Sequence, residues 1–390
     1  MKTGHKVLII KKSTVIMRIA LSYNKFGTSN SGGARESLIT LLRGVADHKD
    51  ITVDVYQTPP VDDPPETNFK YSIYKGELHE IPKLTWMNQV ISRLQWGRYL
   101  RQRLKSDYDL LFTQNVLAPV SVQVSNELNI QSLYFIRSIA LTGYEKYNPE
   151  LGQISNAFQT DFGGKIQYPF LRKNFHDYGQ AAAEATRTIA NSNFTAAKIK
   201  DLFGVEATVI YPPIELENYK VEYDRDGYIT MVNPRAEYKG ADIFLDIADE
   251  LPGEEFLLVG PISSESIRSR AEHMTNVSHW EWCDDMREAY AKSKLVVVPS
   301  RVEESFGRVP AEAMVSGIPC IVSDRGGLPE VVGKTGEVVE QIDSVDEWVD
   351  AIDRVLTGHD PEAQKRRVKR FSAEKQVKKL RRIVDDITGR

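Results

Sequence analysis

The sequence predicts an α/β protein with two separate parallel sheets. Short apolar runs such as Met17–Ser22, Tyr228–Val232 and 295–298 have the length and continuity of strands that are buried on both faces. Each run is followed by a loop and then by an amphipathic helix. Strands that alternate with helices in this way form parallel sheets. Because Pro212-Pro213 interrupts the series, we predict two Rossmann-like halves with a cleft between them.

The first half begins with a regular alternation of strand and helix. Strand 17–22 leads through a loop that ends in Gly32-Gly33 into a helix over 34–47, and an alternating strand over 51–56 follows. Residues 57–82 are rich in proline and acidic residues and are predicted to be one long connection. The other elements predicted here are strands over 108–113, 131–136, 187–190 and 208–211, and helices over 83–106 and 195–203, the latter capped by Ser192 or Asn193. Residues 144–180 are predicted to be partly irregular and partly helical, with a break at Phe162-Gly163-Gly164.

The second half repeats the pattern. Its predicted strands lie at 228–232, 255–260, 277–281, 295–298 and 319–323, with helices between them, and residues 361–390 form a charged amphipathic helical stretch. These elements define the predicted domains, which are 17–213 for the first, 214–370 for the second and 371–390 for a C-terminal helix. Residues 1–16 are interpreted as an N-terminal extension, with Met17 as the expected functional beginning.

Composition limits the partners that this chain can have. A formal net charge of -4 and the lack of any common nucleic-acid motif argue against nucleic acid as a partner. Cys283 and Cys320 are far apart in sequence, which disfavours a disulfide framework or a zinc site and favours a reducing, cytoplasmic location. No apolar run approaches the ~20 residues that are needed to span a bilayer.

The segment 83–106 has a different character from its neighbours. It carries six basic residues, no acidic residue and two tryptophans, Trp86 and Trp96. Such a helix could contact an anionic membrane peripherally, at the inner face, with the tryptophans as anchors. The alternative is a helix that packs on the core through its apolar side and leaves a solvated basic face, and the sequence leaves both interpretations open.

The stretch after strand 295–298 is the main candidate for a ligand site. Two carboxylates, Glu304 and Glu312, flank the pair Phe306-Gly307. A helix that begins near Gly307 would point free backbone N–H groups and the positive end of its dipole toward an anion, which indicates a phosphate. On these residues alone, a surface pair of carboxylates remains the alternative.

The first half offers a second, weaker set of candidates. Gly32 and Gly33 stand directly before a helix, where small residues let the backbone approach a phosphate, although a loop that only needs positive φ would also explain them. No G-x-G-x-x-G pattern is present, which disfavours a dinucleotide cofactor. Arg137 and Ser138 follow strand 131–136 at its carboxyl end, where open α/β sheets bind ligands, and are candidates for contact with an anion or a hydroxyl.

Several segments together resemble the family 4 glycosyltransferases. The run 304–312, followed by 313–319 and 326–330, is similar to the signature of that family, and 232–240 is similar to its arginine-lysine segment for diphosphate binding. The resemblance implies the GT-B fold, an acceptor domain before a nucleotide-sugar donor domain, and a C-terminal helix that returns to the first domain. It also implies transfer of a sugar, with retention, from a nucleoside diphosphate sugar to a hydroxyl of a glycan or lipid-linked acceptor, and it favours a UDP-sugar.

The resemblance also implies roles for particular residues. Glu304 would face the hydroxyls of the donor sugar and Glu312 the ribose, while Arg235 and Lys239 would supply positive charge to the departing diphosphate. The remaining residues expected at the donor are Ser305, Phe306, Gly307, Arg308, Gly32 and Gly33. Because side-chain cations would perform the task that many enzymes give to a metal ion, we expect no metal and no other cofactor, and we interpret Asp284-Asp285 as residues that begin a helix.

This chain departs from the family pattern at two places. Arg235 stands four residues before Lys239 and follows Asn233-Pro234, whereas many relatives have a spacing of about five and a preceding glycine. The histidine that many relatives carry after the strand 131–136 is replaced by Arg137-Ser138. Two alternatives therefore stay open, a nucleotide-sugar epimerase with the same fold and a non-catalytic partner that keeps the nucleotide cleft.

Overall fold

The computed structural model describes residues 16–28, 32–78, 84–144, 147–148, 153–154 and 162–389. The predicted extension 1–16 lies outside these residues, apart from Ile16, as does Lys83 of the basic segment. The strands of the described chain are β1 (Met17–Ser22), β2 (Ile51–Gln57), β3 (Lys70–Lys75), β4 (Leu110–Gln114), β5 (Ser132–Ile136), β6 (Tyr147–Asn148), β7 (Gln153–Ile154), β8 (Arg187–Ala190), β9 (Thr208–Val209), β10 (Tyr228–Val232), β11 (Phe256–Val259), β12 (Val277–Trp280), β13 (Ser293–Val298), β14 (Cys320–Ser323) and β15 (Glu337–Val339).

The strands form the two parallel sheets that the sequence predicts. The first sheet has the order β3-β2-β1-β4-β5-β8-β9 and the second has β12-β11-β10-β13-β14-β15, while β6 and β7 form a small antiparallel pair. In each large sheet the strand order reverses beside the first strand, which is the doubly wound arrangement that leaves a crevice at the carboxyl ends of the strands. The two Rossmann-like halves are therefore confirmed.

Helices cover both faces of each sheet. They are α1 (Gly32–Ala46), α2 (Thr85–Arg103), α3 (Ala118–Glu127), α4 (Phe162–Glu184), α5 (Asn193–Phe203), α6 (Ala241–Glu250), α7 (Glu265–His273), α8 (Met286–Ala291), α9 (Arg308–Ala313), α10 (Leu328–Val332), α11 (Val345–Gly358), α12 (Pro361–Val368) and α13 (Ala373–Thr388). The Ser192 hydroxyl accepts a hydrogen bond of 3.0 Å from the Thr195 N–H, so the predicted N-cap of α5 is confirmed. The Asp285 side chain caps α8 in the same way, as predicted.

The C-terminal helix α13 returns to the first half, as the resemblance implies. Its apolar residues Leu380 and Val384 are buried in the core that β1 and α1 form. The chain crosses between the halves at two adjacent points, because Ile214 and Ser372 pair side by side, and the Ile214 N–H donates to the Phe371 carbonyl over 2.9 Å. Both crossings thus lie together at one side of the cleft.

The structure corrects two predictions in the first half. Residues 57–82 are not one connection, because β3 lies within them and pairs in parallel with β2 at the sheet edge. Most of β3 faces solvent, so it lacks the apolar run by which the buried strands can be recognised. Within 144–180, Phe162 begins the 23-residue helix α4 and does not mark a break.

Helix α2 packs on the core and does not present its tryptophans as membrane anchors. Trp96 is fully buried and Trp86 is 9% exposed. The Trp96 indole N–H donates to the Ser22 hydroxyl over 2.9 Å, and Arg93 is buried against Asp177. The anchor role predicted for the tryptophans is therefore wrong. No helix among the described residues is both long enough and apolar enough to cross a membrane.

A candidate active site between the two sheets

The strand order brings the predicted site residues to one place. Strands β10 and β13 are neighbours at the point where the order of the second sheet reverses, and the loops that follow them carry Lys239 and Glu304. These loops border a cavity of about 380 Å³. Gly33, Ser37 and Arg137 of the first half line the same cavity, so it lies between the two sheets.

Lys239 and Glu304 form an ion pair at this cavity. The Lys239 ammonium donates to Glu304 Oε1, and the Ser300 hydroxyl donates to the same oxygen over 3.1 Å. Each of the two charged side chains is 23% exposed, so both remain accessible from the cleft. The second oxygen of Glu304 is available to hydroxyl donors of a ligand, because a carboxylate can accept several hydrogen bonds. The sequence placed these residues 65 positions apart, and the fold joins them.

Glu312 is held more firmly than Glu304. It is 8% exposed, and the Tyr290 hydroxyl donates to its Oε2 over 3.0 Å. Arg308 donates to Glu312 Oε1 through Nε over 3.0 Å, one turn earlier on α9. Burial and the neighbouring carboxylate raise the pKa of Tyr290 well above its ordinary value, so this phenol stays a hydrogen-bond donor.

Arg308 connects the two halves across the cavity. Its guanidinium donates to the Ser37 hydroxyl over 3.3 Å and to the Tyr219 hydroxyl over 3.2 Å. Burial alone would lower the pKa of Arg308, but the charge of Glu312 and the contacts with Tyr219 together outweigh burial and raise that pKa. A Cβ atom at Gly33 would lie 2.7 Å from Arg308 Cδ, so the missing side chain at Gly33 makes room for this arginine.

Some of the other predicted site residues line the same cavity, and others do not. Ser305, Phe306 and Gly307 line it, and Phe306 is buried against Phe371 with ring centroids 5.1 Å apart. Gly32 begins α1. Ser138 precedes a 3-10 helix, Ile139–Thr142, and is not among the lining residues.

Arg235 does not join Lys239 at the cavity. It is exposed and lines a neighbouring pocket of about 390 Å³ together with Tyr238 and Arg301. Arg301 is paired with Asp242 there, through hydrogen bonds of 2.7 Å. The phosphate contact predicted for Arg235 stays a prediction, and in this conformation its side chain would have to turn toward the cleft to make it.

Arg137 lines the same cavity as Lys239 but belongs to the first half, where it directly follows β5. Its Nε donates to the Gln114 side-chain oxygen, and its carbonyl accepts a 3.0 Å hydrogen bond from the Asn191 amide. Burial lowers the pKa of Arg137 to about 10, which still leaves the guanidinium charged at neutral pH. Sequence reasoning found Arg137 by its position at a strand end but missed Gln114 and Asn191, which hold it in place.

The described residues contain no group of three or more His, Cys, Asp or Glu side chains that is placed to hold a metal ion. Cys283 and Cys320 are free thiols. Metal independence stays a prediction, which an activity assay with and without a metal chelator would test.

Two family models match this chain and together span both halves. The model for Glycosyltransferase Family 4 matches residues 31–218, and the model for Glycosyl transferases group 1 matches residues 227–358. The chain belongs to glycosyltransferase family 4. The second match contains both Lys239 and Glu304, and the first contains Arg137.

Curated relatives of this family 4 member are distant. The D-inositol 3-phosphate glycosyltransferase of Segniliparus rotundus is 29% identical over 185 residues, which is 40% of this chain and 40% of that protein. The chain thus spans about 40% of the length of the curated relatives that it matches. Solved structures of similar fold extend over nearly the whole chain. Sucrose-phosphate synthase from Thermosynechococcus elongatus has a TM-score of 0.72 at 18% identity and covers 96% of this chain and 99% of that one.

The second solved structure is Anabaena Alr3699/HepE in complex with UDP, with a TM-score of 0.68 at 17% identity over 95% of this chain and 100% of that chain. At such identities the likeness concerns the fold, and with the two sheets it confirms the GT-B architecture of this family 4 member.

One residue that joins the halves of the family 4 member was not predicted for the site. Glu330 lies in the first turn of α10, but its carboxylate reaches the N-terminus of α5 in the first half. Its Oε2 accepts hydrogen bonds from the backbone N–H of Asn193 over 2.9 Å and of Phe194 over 3.2 Å, and its Oε1 accepts from the Tyr211 hydroxyl over 2.6 Å. An acid at a helix N-terminus is stabilised by the unpaired N–H groups and the helix dipole. The motif 326–330 was the only sequence signal for it.

We expect Glu330→Ala to loosen the contact between the halves. The change removes the acceptor for two backbone donors and a favourable charge, which should lower the free energy of unfolding by about 1–2 kcal/mol. Denaturant unfolding measures this loss, and small-angle scattering should show a larger radius of gyration. Glu330→Gln, which keeps an acceptor oxygen, should lie between wild type and Glu330→Ala. The exposed Glu340→Ala is the control, and equal stability and scattering of Glu330→Ala and Glu340→Ala would contradict a role in closure.

Proposed function

We propose that this chain transfers a sugar from a nucleoside diphosphate sugar to a hydroxyl of a glycan or lipid-linked acceptor, with retention at the anomeric carbon. The observation that carries the proposal is the Lys239–Glu304 pair in a cavity between two Rossmann-like halves, in a member of glycosyltransferase family 4. An acid that can accept from vicinal sugar hydroxyls stands there beside a cation that can stabilise a departing phosphate.

The predicted site residues have separate tasks in this reaction. Glu304 orients the donor sugar, Lys239 and the predicted Arg235 stabilise the charge that develops on the diphosphate, and Glu312 accepts from the ribose. The bond between the anomeric carbon and the β-phosphate oxygen breaks, and a bond to the acceptor oxygen forms on the same face of the sugar. The acceptor proton passes to the leaving phosphate, so no separate enzymic base is needed.

Glu312 has a competing partner in this structure, because Arg308 already donates to it. When a nucleotide binds, the ribose hydroxyls have to share the Glu312 carboxylate with Arg308, or Arg308 has to turn toward the diphosphate. Both arrangements keep the buried carboxylate satisfied. Closure of the two halves would also exclude water, which otherwise hydrolyses the donor.

Thermal-shift measurement with a panel of nucleoside diphosphates and their sugars tests the proposal. A ligand present at 100 times its Kd stabilises the fold by about 2.7 kcal/mol, so the matching nucleotide should raise Tm by roughly 5 °C. UDP is the first nucleotide to test, since the Anabaena relative in the fold comparison was solved with UDP. Failure of every diphosphate to shift Tm would overturn the proposal.

Product analysis then separates transfer from the alternatives. Transfer gives free nucleoside diphosphate and an elongated acceptor, and proton NMR of the new anomeric centre reports retention. An isomerised sugar on an intact nucleotide would indicate an epimerase instead. Binding of the nucleotide without turnover of any acceptor would favour the non-catalytic partner.

We also propose that a cytoplasmic location is combined with at most a weak peripheral contact at a membrane. On α2 the residues Arg98, Arg101 and Arg103 are exposed, while Trp86 and Trp96 are not available. Arg101 is further engaged by Glu127 at 2.7 Å. Co-sedimentation with vesicles of anionic lipid, compared with neutral lipid, measures the contact, and equal retention on both would remove the membrane from the proposal.

A further inference from the structure

The cavity contains one cation without a carboxylate partner. Arg137, Lys239 and Arg308 are the cationic side chains that line it within the described part of the chain. Lys239 is paired with Glu304, and Arg308 is paired with Glu312. Arg137 has no carboxylate within ion-pair distance among the described residues, and its Nε is met only by the neutral Gln114 amide. A charge that is taken out of water without a counter-charge indicates that the counter-charge comes with a ligand.

The residues around Arg137 share this lack of partners. Of the eleven buried side-chain polar atoms that have no hydrogen-bond partner among the residues that the structure describes, three belong to this cluster: the Tyr23 hydroxyl, Gln114 Nε2 and Arg137 Nη2. Tyr23 and Gln114 are each 1% exposed. Most buried polar atoms in folded proteins are hydrogen-bonded, so three buried atoms without hydrogen bonds on neighbouring residues require an explanation. All three atoms are N–H or O–H groups that can donate, which is the character of a site for an acceptor-rich group.

The topology explains why these groups meet. Tyr23, Gln114 and Arg137 stand at the carboxyl ends of β1, β4 and β5, which are neighbours in the first sheet. Asn191 follows β8, the next strand, and fixes the backbone of Arg137. The cluster is therefore built on the sheet and not on a mobile loop. Arg137 is its member that lines the cavity, at the crevice where doubly wound sheets bind ligands, while Tyr23 and Gln114 are buried beside it.

The distribution of cations between the two halves favours the acceptor as the ligand of this cluster. The other two cations at the cavity, Lys239 and Arg308, are carried by the second half, which is expected to bind the donor, whereas Arg137 belongs to the first. The charge of Arg308 acts with burial to lower the pKa of Arg137, so the two guanidinium groups repel each other across the cavity. An anion next to Arg137 would relieve both the repulsion and the desolvation of its guanidinium. Guanidinium also matches the planar geometry of phosphate and carboxylate oxygens better than an ammonium does.

We propose that Arg137, supported by its buried neighbours Gln114 and Tyr23, forms a subsite for an oxyanion carried by the acceptor, so that the chain selects acidic over neutral acceptors. This inference rests on the proposed function, because the acceptor can be told from the donor only if a nucleotide occupies the donor site. Phosphate and carboxylate have the same recognition chemistry here, and the experiment distinguishes them.

The experiment measures binding of three matched sugars to the protein saturated with the diphosphate found in the thermal-shift panel. Glucose is the neutral probe, glucose 6-phosphate carries a phosphate and glucuronate carries a carboxylate. We expect at least one of the two acidic sugars to bind the wild-type protein at least tenfold more tightly than glucose does, and the stronger of them identifies the anion. Arg137→Met should remove this preference, and Arg137→Lys should retain part of it.

Controls make the outcomes separable. Arg98→Met is the matched control, since Arg98 is exposed on α2, and it should keep the wild-type preference. Arg137→Met should bind the nucleoside diphosphate within about threefold of wild type, which also shows that the variant is folded. Equal binding of acidic and neutral sugars, or a preference that survives in Arg137→Met, would overturn the inference and leave the proposed function standing. Loss of nucleotide affinity in Arg137→Met would assign Arg137 to the donor diphosphate and overturn it as well. If no nucleotide binds the wild type, the proposed function itself fails.

Discussion

Glu304→Gln and Lys239→Ala are each expected to lower the rate of sugar transfer by at least about 100-fold while the fold is kept. Removal of one group that stabilises developing charge typically costs about 100- to 1000-fold in turnover. Lys239 is the cation nearest to Glu304, and without it the departing diphosphate loses its charge partner. Glutamine at 304 has similar size, but its amide nitrogen cannot accept from sugar hydroxyls and it carries no charge to pair with Lys239. Initial rates at saturating donor and acceptor measure the effect.

The second half offers a matched pair of control variants. Lys294 and Glu254 form another partly buried ion pair, but Lys294 lies at the amino end of β13, away from the cavity. Glu254→Gln and Lys294→Ala should therefore reduce turnover by less than about threefold. Both ion pairs contribute about 1 kcal/mol or less to stability, so all four variants should unfold at similar temperature. Near-normal transfer by Glu304→Gln and Lys239→Ala would refute the site, and equal losses in all four variants would show a structural effect.

Elements buried on both faces could be predicted from the sequence almost to the residue. Met17–Ser22 and Tyr228–Val232 have the predicted bounds because an uninterrupted apolar run between polar loops has few alternatives. The strand Lys70–Lys75 could not be predicted, because it lies at the edge of the sheet, pairs with a strand on one side only, and exposes most of its side chains to water. Local sequence carries no signal for a strand that exists through pairing alone.

The candidate site was predictable to the extent that it lies within one half. Glu304, Glu312 and Lys239 follow neighbouring strands of the second sheet, so motif and topology agree on them. Contacts that join the halves were not predictable. The Arg308–Ser37 contact spans 271 positions and the Glu330–Asn193 contact spans 137, and no periodicity relates the members of either pair. Such contacts depend on how two domains pack, which the sequence of each domain does not encode locally.

Gly326→Ala is expected to displace Glu304 and thereby reduce transfer by about 100-fold. Gly326 has a φ of +64° and pairs in parallel with Glu304, whose carbonyl accepts a 2.6 Å hydrogen bond from the Gly327 N–H. A Cβ atom at Gly326 would lie 2.2 Å from the Glu304 carbonyl oxygen and 2.7 Å from its backbone nitrogen. The Glu304 backbone would have to move by about 1 Å, and a misplacement of this size can cost about 100-fold in rate. Steady-state kinetics on the purified variant measures the loss.

The control separates displacement of Glu304 from ordinary backbone strain. Gly204, which ends α5, has nearly the same φ of +67°, but nothing lies within 4 Å of a Cβ built there. Gly204→Ala should lose about 1 kcal/mol of stability, because alanine disfavours the left-handed region. Gly326→Ala should lose the same amount and more, because the backbone of Glu304 must also shift. Only Gly326→Ala should also lose turnover, and it should still bind nucleoside diphosphate through Glu312 on the adjacent helix. If the two variants transfer sugar at the same rate, the close approach of Gly326 does not position Glu304, and the contacts with Lys239 and Ser300 must hold the carboxylate in the cleft.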